Sequence, residues 1–218
     1  EPENHLSHTR LTKLIAKIEE LAADRQVILT THSSYVLNRL GLDRLILLAG
    51  GRAAKFEHLD AETVGYFKKL SGYDTLRVVL ADRVALVEGP ADELIVQRAY
   101  KDQTAKTPME DGVDIISVQG LAFKRALALA KVLDRPLAMI RDNDQEPVDH
   151  WHAVYSEWID GTKRRLFVGQ PAAGRTLEPQ IVHHNGLEAT NALVGQSQPD
   201  VAALLHWMDQ NKTEGALK

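Results

Sequence analysis

The sequence predicts an α/β protein with a central, mostly parallel sheet flanked by helices. A partial α/β segment precedes this sheet and a helical tail follows it. Three observations carry the prediction. From residue 83 onward, short apolar runs alternate with stretches of helical length, the pattern of βαβ units. Acidic residues stand directly after two of those runs, where open parallel sheets place their sites. Residues 1–80, by contrast, hold too few strand-like runs to make a sheet without unpaired edges.

The elements follow in order. Over residues 9–24, Leu11, Leu14, Ile15, Ile18 and Leu21 recur at helical spacing with charges opposite. Val27–Thr31 reads as a buried strand, followed by the polar turn His32-Ser33-Ser34 and a short helix over 34–40. Gly41 leads to a strand at Leu45–Leu48, and Gly50-Gly51 makes a tight turn. Asp60 caps a helix running to Leu70. Strands are then expected at 84–87, 115–118, 137–140 and 166–168, with helices at 90–101, 121–133 and 148–158. The tail, 186–209, reads as helices with Ala202, Leu204, Leu205 and Met208 facing a core. Residues 1–80 form one predicted domain and 81–218 the other, with the helical segment from about 186 inside the second.

Composition sets broad bounds. The 218 residues are 44% hydrophobic, enough for one large core or two modest ones. A net charge of −4 advertises no nucleic-acid binding, although phosphate affinity arises from local patches and bound metal rather than from the sum. The absence of cysteine excludes disulfides, thiolate zinc sites and a cysteine nucleophile. No apolar run approaches the roughly 20 residues needed to span a bilayer, so no membrane association is expected and the cytoplasm is the expected compartment. The opening Glu1-Pro2-Glu3, without methionine, reads as a processed or cut chain.

Three acidic clusters carry the chemistry: Glu88-Gly-Pro-Ala-Asp92, Asp142-Asn-Asp144 and Glu178. Glu88 ends a strand, and Asp92 opens the next helix and can turn back toward it. Asp142 and Asp144, one residue apart, share a side in extended geometry. Converging carboxylates need neutralising, and Mg²⁺ takes hard oxygen ligands while keeping several waters. Two-metal sites hold ions about 3.5–4 Å apart and clamp both oxygens of a phosphodiester displacement. Each acid alone reads as well as a solvated residue or a helix cap; together, on this alternation, they read as a metal site.

The order β–Glu-Gly-x-x-Asp, then β–Gly (Val118-Gln-Gly120), then β–Asp-x-Asp resembles a Toprim domain, the module shared by topoisomerases, bacterial primases and several nucleases. The pattern covers about 83–180. Glu1-Pro-Glu-Asn-His-Leu-Ser7, followed about 25 residues later by Thr30-Thr-His32-Ser33, resembles the end of an ABC-type ATPase. There Glu1 would polarise the attacking water, residues 4–7 would form the D-loop and His32 would be the switch histidine. No Gly-x-x-x-x-Gly-Lys-Ser/Thr phosphate loop is present, and Leu70-Ser71-Gly72 lies after His32, where the ABC signature cannot be. The chain therefore reads as an ATPase with its front absent, unable to hydrolyse ATP in this form.

An ABC-type ATPase running into a Toprim domain resembles the OLD (overcoming lysogenization defect) nucleases. The resemblance implies DNA cleavage with two Mg²⁺ or Mn²⁺ ions held by Glu88, Asp92, Asp142, Asp144 and Glu178. Glu88 and Asp142 would be the central catalytic acids. It further implies that Lys212, in Asn-Lys-Thr, stabilises charge on phosphate or the leaving oxygen. The family commonly has Glu where Asp92 stands, which puts that ligand's reach in doubt. ATP use, homodimerisation through the absent ATPase and a helicase partner are implied for the full-length protein alone.

Cations are needed to hold a DNA backbone, and Arg141, Lys163, Arg164, Arg165 and Arg175 are the candidates. Trp151, Tyr155 and Trp158 recur at i, i+4 and i+7, a spacing that favours core packing over base stacking. His183-His184 suits a transition metal, whereas the carboxylate set suits Mg²⁺ or Mn²⁺. Three alternatives stay open: a topoisomerase- or primase-like Toprim, a non-catalytic DNA-binding or regulatory module, and a phosphoacceptor domain using Asp142.

Overall fold

The computed structural model describes residues 1–217 except 41–43, 50–51, 57–58, 70–73 and 119–121. The turn at Gly50-Gly51, the Leu70-Ser71-Gly72 triplet, Gly41 and Gly120 therefore lie outside the described residues. The chain divides into two compact units: residues 1–80 with 128–134, and residues 81–127 with 135–218.

The first unit holds helices α1 (His8–Leu21), α2 (Ser34–Leu40), α3 (Ala61–Lys69) and α4 (Asp74–Leu80). An antiparallel hairpin, β1 (Ile46–Ala49) and β2 (Arg52–Lys55), pairs Ile46 with Lys55 and Ala49 with Arg52. The predicted apolar stripe of α1 forms in part: Leu11 and Ile15 are buried with Val36 of α2 and Ile18 packs against them, whereas Leu14 and Leu21 are exposed. Asp60 caps α3, its carboxylate accepting from the Thr63 backbone N–H at 2.7 Å and from the Thr63 hydroxyl at 2.7 Å. The strand expected at 27–31 does not form. Ile28 is 83% exposed, and among the described residues no strand pairs with the segment. Apolar, β-branched composition favours extension, but a strand exists only where a neighbour satisfies its backbone groups. β2 and α4 were not expected from the sequence.

The second unit is built on a four-stranded parallel sheet ordered β4-β3-β5-β6. Its strands are β3 (Arg83–Val87), β4 (Val113–Ser117), β5 (Leu137–Arg141) and β6 (Arg164–Val168). They coincide with the four predicted runs to within two residues. Helices α5 (Pro90–Thr104), α6 (Ala122–Val132) and α7 (Val148–Tyr155) supply the connections. Alternation gives each central strand two buried faces. Ala85, Val87 and Ile115 cluster on one side with Val96 of α5, Ala138 and Ile140. Val84, Leu86, Ile116, Leu137 and Met139 are buried on the other. α5 stops where Ala105 turns left-handed (φ 59°) and its N–H bonds to the Lys101 carbonyl.

The tail comprises α8 (Leu177–Val194), α9 (Val201–Gln210) and α10 (Lys212–Leu217). α8 bends at Gly186, whose φ of +80° lies outside the helical range. Beyond the bend, Val194 packs with Val182, Leu204 and Met208. Ala202, expected in this core, is exposed instead; it sits in the first turn of α9, off the Leu204/Met208 stripe. α10 packs against α5, α8 and α9, which returns the chain to the sheet's carboxyl edge.

Candidate metal and phosphodiester site

Glu88 leaves β3 and Asp142 leaves β5, adjacent strands paired Val84 to Leu137 and Leu86 to Met139. The register brings both acids to one sheet end, where the Asp142 backbone N–H donates to Glu88 Oε1 at 3.3 Å. Asp92 stands in the first turn of α5 and accepts from the Gly89 backbone N–H at 2.9 Å. Glu178, in the first turn of α8, is 8% exposed and accepts from the Thr176 hydroxyl at 2.9 Å. Lys212 opens α10 with its Nζ 3.6 Å from Glu178 Oε1 and 3.4 Å from Asp209 Oδ1.

The expectation that Asp142 and Asp144 extend side by side is corrected. Asp144 is left-handed (φ 52°), so the chain turns there instead of running extended. Fully buried Asn143 makes the turn: its Nδ2 donates to the Gly174 carbonyl at 2.6 Å and its Oδ1 accepts from the Gln145 N–H at 2.8 Å. Gly174 must be glycine there, because at φ +121° a Cβ would lie 2.5 Å from Pro179 Cβ. Asp144 instead pairs with Arg141 and lies 3.9 Å from Arg175.

The cations are sorted differently from expectation. Arg141 is 7% exposed and committed to the acids: besides Asp144 it lies 3.4 Å from Glu88 Oε1. Its guanidinium is thus engaged with the acids inside the fold. Lys163, Arg164 and Arg165 are at the wrong end of the sheet. Register pairs Leu137 with Arg164, so the basic turn flanks the amino ends of the strands, about 15 Å of strand from the acids. Arg164 is also used structurally, bonded to Asp160 and to the Trp158 carbonyl. Arg175, well exposed beside Asp144, is the candidate that stays at the site.

Electrostatics define the cluster. Burial first, then the Glu88, Asp92, Glu178 and Asp144 carboxylates, push Asp142 up to about 7. Burial also raises Glu88, opposed by Arg141, and raises Asp92, with Glu178 adding to it. Burial disfavours the Lys212 ammonium, but Glu178 and Asp209 outweigh this and hold its pKa above that of an ordinary lysine. Asp142 thus feels all four other predicted ligands at once, and the donors are hard oxygens, the set that Mg²⁺ or Mn²⁺ takes. In this conformation no three acidic or histidine side chains among the described residues stand at metal-ligating spacing. Arg141 and Lys212 occupy the carboxylates instead.

A pH dependence follows. The folded pKa of Asp142, about 7, exceeds its unfolded value of about 3.9. The metal-free fold therefore binds more protons than the unfolded chain between these values. Its stability falls as pH rises through that window and is flat above it. With the carboxylate partly open to water, the loss is discounted to about 2 kcal/mol. Thermal melts in EDTA should drop between about pH 4 and 7, and Mg²⁺ should abolish the drop; a pH-independent melting temperature would contradict the placement of the five acids.

In the first unit, His32 Nδ1 stands 3.7 Å from Glu1 Oε1 and 3.5 Å from Glu3 Oε1. Glu3, which the sequence did not single out, does most of the holding. Its Oε1 accepts from the Thr31 hydroxyl at 2.8 Å and the His32 N–H at 3.1 Å. These bonds outweigh burial and lower its pKa. The sequence also gave no sign of Asn143 or of the partners of Arg141. Trp151 and Tyr155 were visible only as an apolar stripe, and Trp158 lies beyond the end of α7.

No curated protein matches the chain significantly. The C-terminal region of the Xanthomonas campestris pv. campestris OLD protein, a solved structure, is similar at 20% identity, covering 63% of this chain and 83% of that one, with a TM-score of 0.44. The sequence profile of the "Overcoming lysogenization defect protein-like, TOPRIM domain" matches residues 79–144, which span β3, β4, β5 and the acids Glu88, Asp92, Asp142 and Asp144. Residues 79–144 thus match an OLD-like Toprim domain.

Proposed function

We propose that this chain is the DNA-cleaving part of an OLD-type nuclease and hydrolyses phosphodiester bonds with divalent cations. The meeting of Lys212 with Glu178, at 3.6 Å, supports this most directly. An ammonium from the tail stands beside Glu178, one of five acids that follow two strand ends or open two helices. Mg²⁺ or Mn²⁺ held by Glu88, Asp92, Asp142, Asp144 and Glu178 would neutralise phosphate charge and activate water. The chain's own groups do the rest. Lys212, kept protonated by Glu178 and Asp209, places a compact positive charge where phosphate or leaving-oxygen charge develops. Arg175 offers the DNA backbone an exposed guanidinium beside the acids. Asp142 gives up its carboxyl proton as the cluster fills with cations.

The Glu1–Glu3–His32 contacts support the reading of an ATP-site remnant. Incubating supercoiled plasmid with the purified chain and Mg²⁺ or Mn²⁺, without ATP, should give nicked or degraded DNA. Glu88→Gln should stop it while metal-free melting is preserved. Intact plasmid across both metals, with no ion bound in calorimetry, would end this reading and leave a non-catalytic module.

A further inference from the structure

The residues around Arg141 form a cage that the reaction as described does not use. The guanidinium carbon lies 3.3 Å from the Trp151 ring centroid. Nε donates to the Asp142 carbonyl at 2.8 Å, and one terminal nitrogen donates to the Tyr155 hydroxyl at 3.0 Å. The other terminal nitrogen faces Asp144 and Glu88. Trp151 stacks on Tyr155 at 6.2 Å and donates its indole N–H to the Asn143 carbonyl at 2.8 Å. Ring, hydroxyl and carbonyl fix the cation from three sides, and two carboxylates take the fourth.

A guanidinium held this way cannot swing out when the acids change partners. Any divalent ion approaching Glu88 and Asp144 therefore meets a fixed positive charge that shares their oxygens. We propose that Arg141 is a resident counter-ion of the carboxylate cluster, holding Glu88 and Asp144 in place without metal and weakening the cluster's affinity for divalent cations. It is a positioning residue, not one that touches the scissile bond. Its effect is to keep bound cations exchangeable. In apo protein it supplies charge that metal would otherwise have to bring; in loaded protein it repels the ion through a site of low dielectric.

This rests on the metal-binding reading above, and one experiment separates the two. Mg²⁺ and, to avoid turnover, Ca²⁺ are titrated by calorimetry into wild type, R141M, R141Q and R141K, with melting curves in EDTA alongside. R141M and R141Q should bind about tenfold more tightly than wild type and melt lower in EDTA, with the deficit recovered on adding Ca²⁺. R141K keeps the charge without the fork and should retain near-wild-type affinity, which a merely structural role would not predict. Variants that fold only with metal would show the same effect in its extreme. Unchanged or weaker binding in R141M and R141Q, or failure to fold even with metal, overturns the proposal while leaving the nuclease reading intact. A wild type that binds neither ion overturns both.

Discussion

Asp142→Asn is expected to lower plasmid cleavage by at least about 10³-fold, the scale of removing a group that acts directly on developing charge. The same change should raise the metal-free melting temperature at pH 8. Asp142 is the acid on which the other four converge, and their repulsion adds to burial in lifting its pKa to about 7. Asparagine keeps the shape and removes one charge from that crowd. Relief of about 1 kcal/mol corresponds to roughly 2–4 °C in a protein of this size. With Mg²⁺ the sign should invert, because the variant lacks a ligand. Opposite shifts in EDTA and in Mg²⁺ would distinguish a functional acid from a structural one. A lower melting temperature in both would show that Asp142 holds the fold.

Lys212→Ala should cost about 10²–10³-fold in cleavage with metal binding retained or strengthened. The ammonium lies 3.6 Å from Glu178 and 3.4 Å from Asp209, and its side chain is 44% exposed. The lysine end is open but Glu178 is buried, so the metal-free melting temperature should fall and recover on adding Mg²⁺. Losing a cation beside a metal ligand also frees Glu178 for the ion. Calorimetry and single-turnover cleavage on one preparation would test both halves. Cleavage that survives would remove Lys212 from the chemistry.

Much of the second unit is legible in the amino-acid sequence. A parallel strand buried on both faces writes itself as a continuous apolar run, as Val84–Val87 and Leu137–Ile140 do, and acids at strand ends stand out against it. The first unit is harder for the same reason reversed. Val27–Thr31 has a strand's composition, but pairing depends on a neighbour that no local pattern records. Partner choice is likewise invisible. Arg141 and Arg165 look alike as letters; sheet register puts one among the carboxylates and the other at the opposite end. Asn143 reads as a spacer between two aspartates, yet it is buried and its side chain fixes a turn between them. Lys212 came from the family resemblance, since nothing in its neighbours marks it.

The bend at Gly186 bears on how the site comes into being in time. A straight α8 of 18 residues would run about 27 Å from Glu178. Bending lets α9 and α10 double back, so Lys212 meets Glu178 across 34 positions of sequence. Glu88 and Arg141 meet across 53. Contacts so distant along the chain close late, because the loops they seal carry the largest entropy. The helical tail must dock before acids and ammonium coexist. A partly folded chain would hold unbalanced negative charge, which repels DNA, so the nuclease proposed above would gain its site only at the last step of folding.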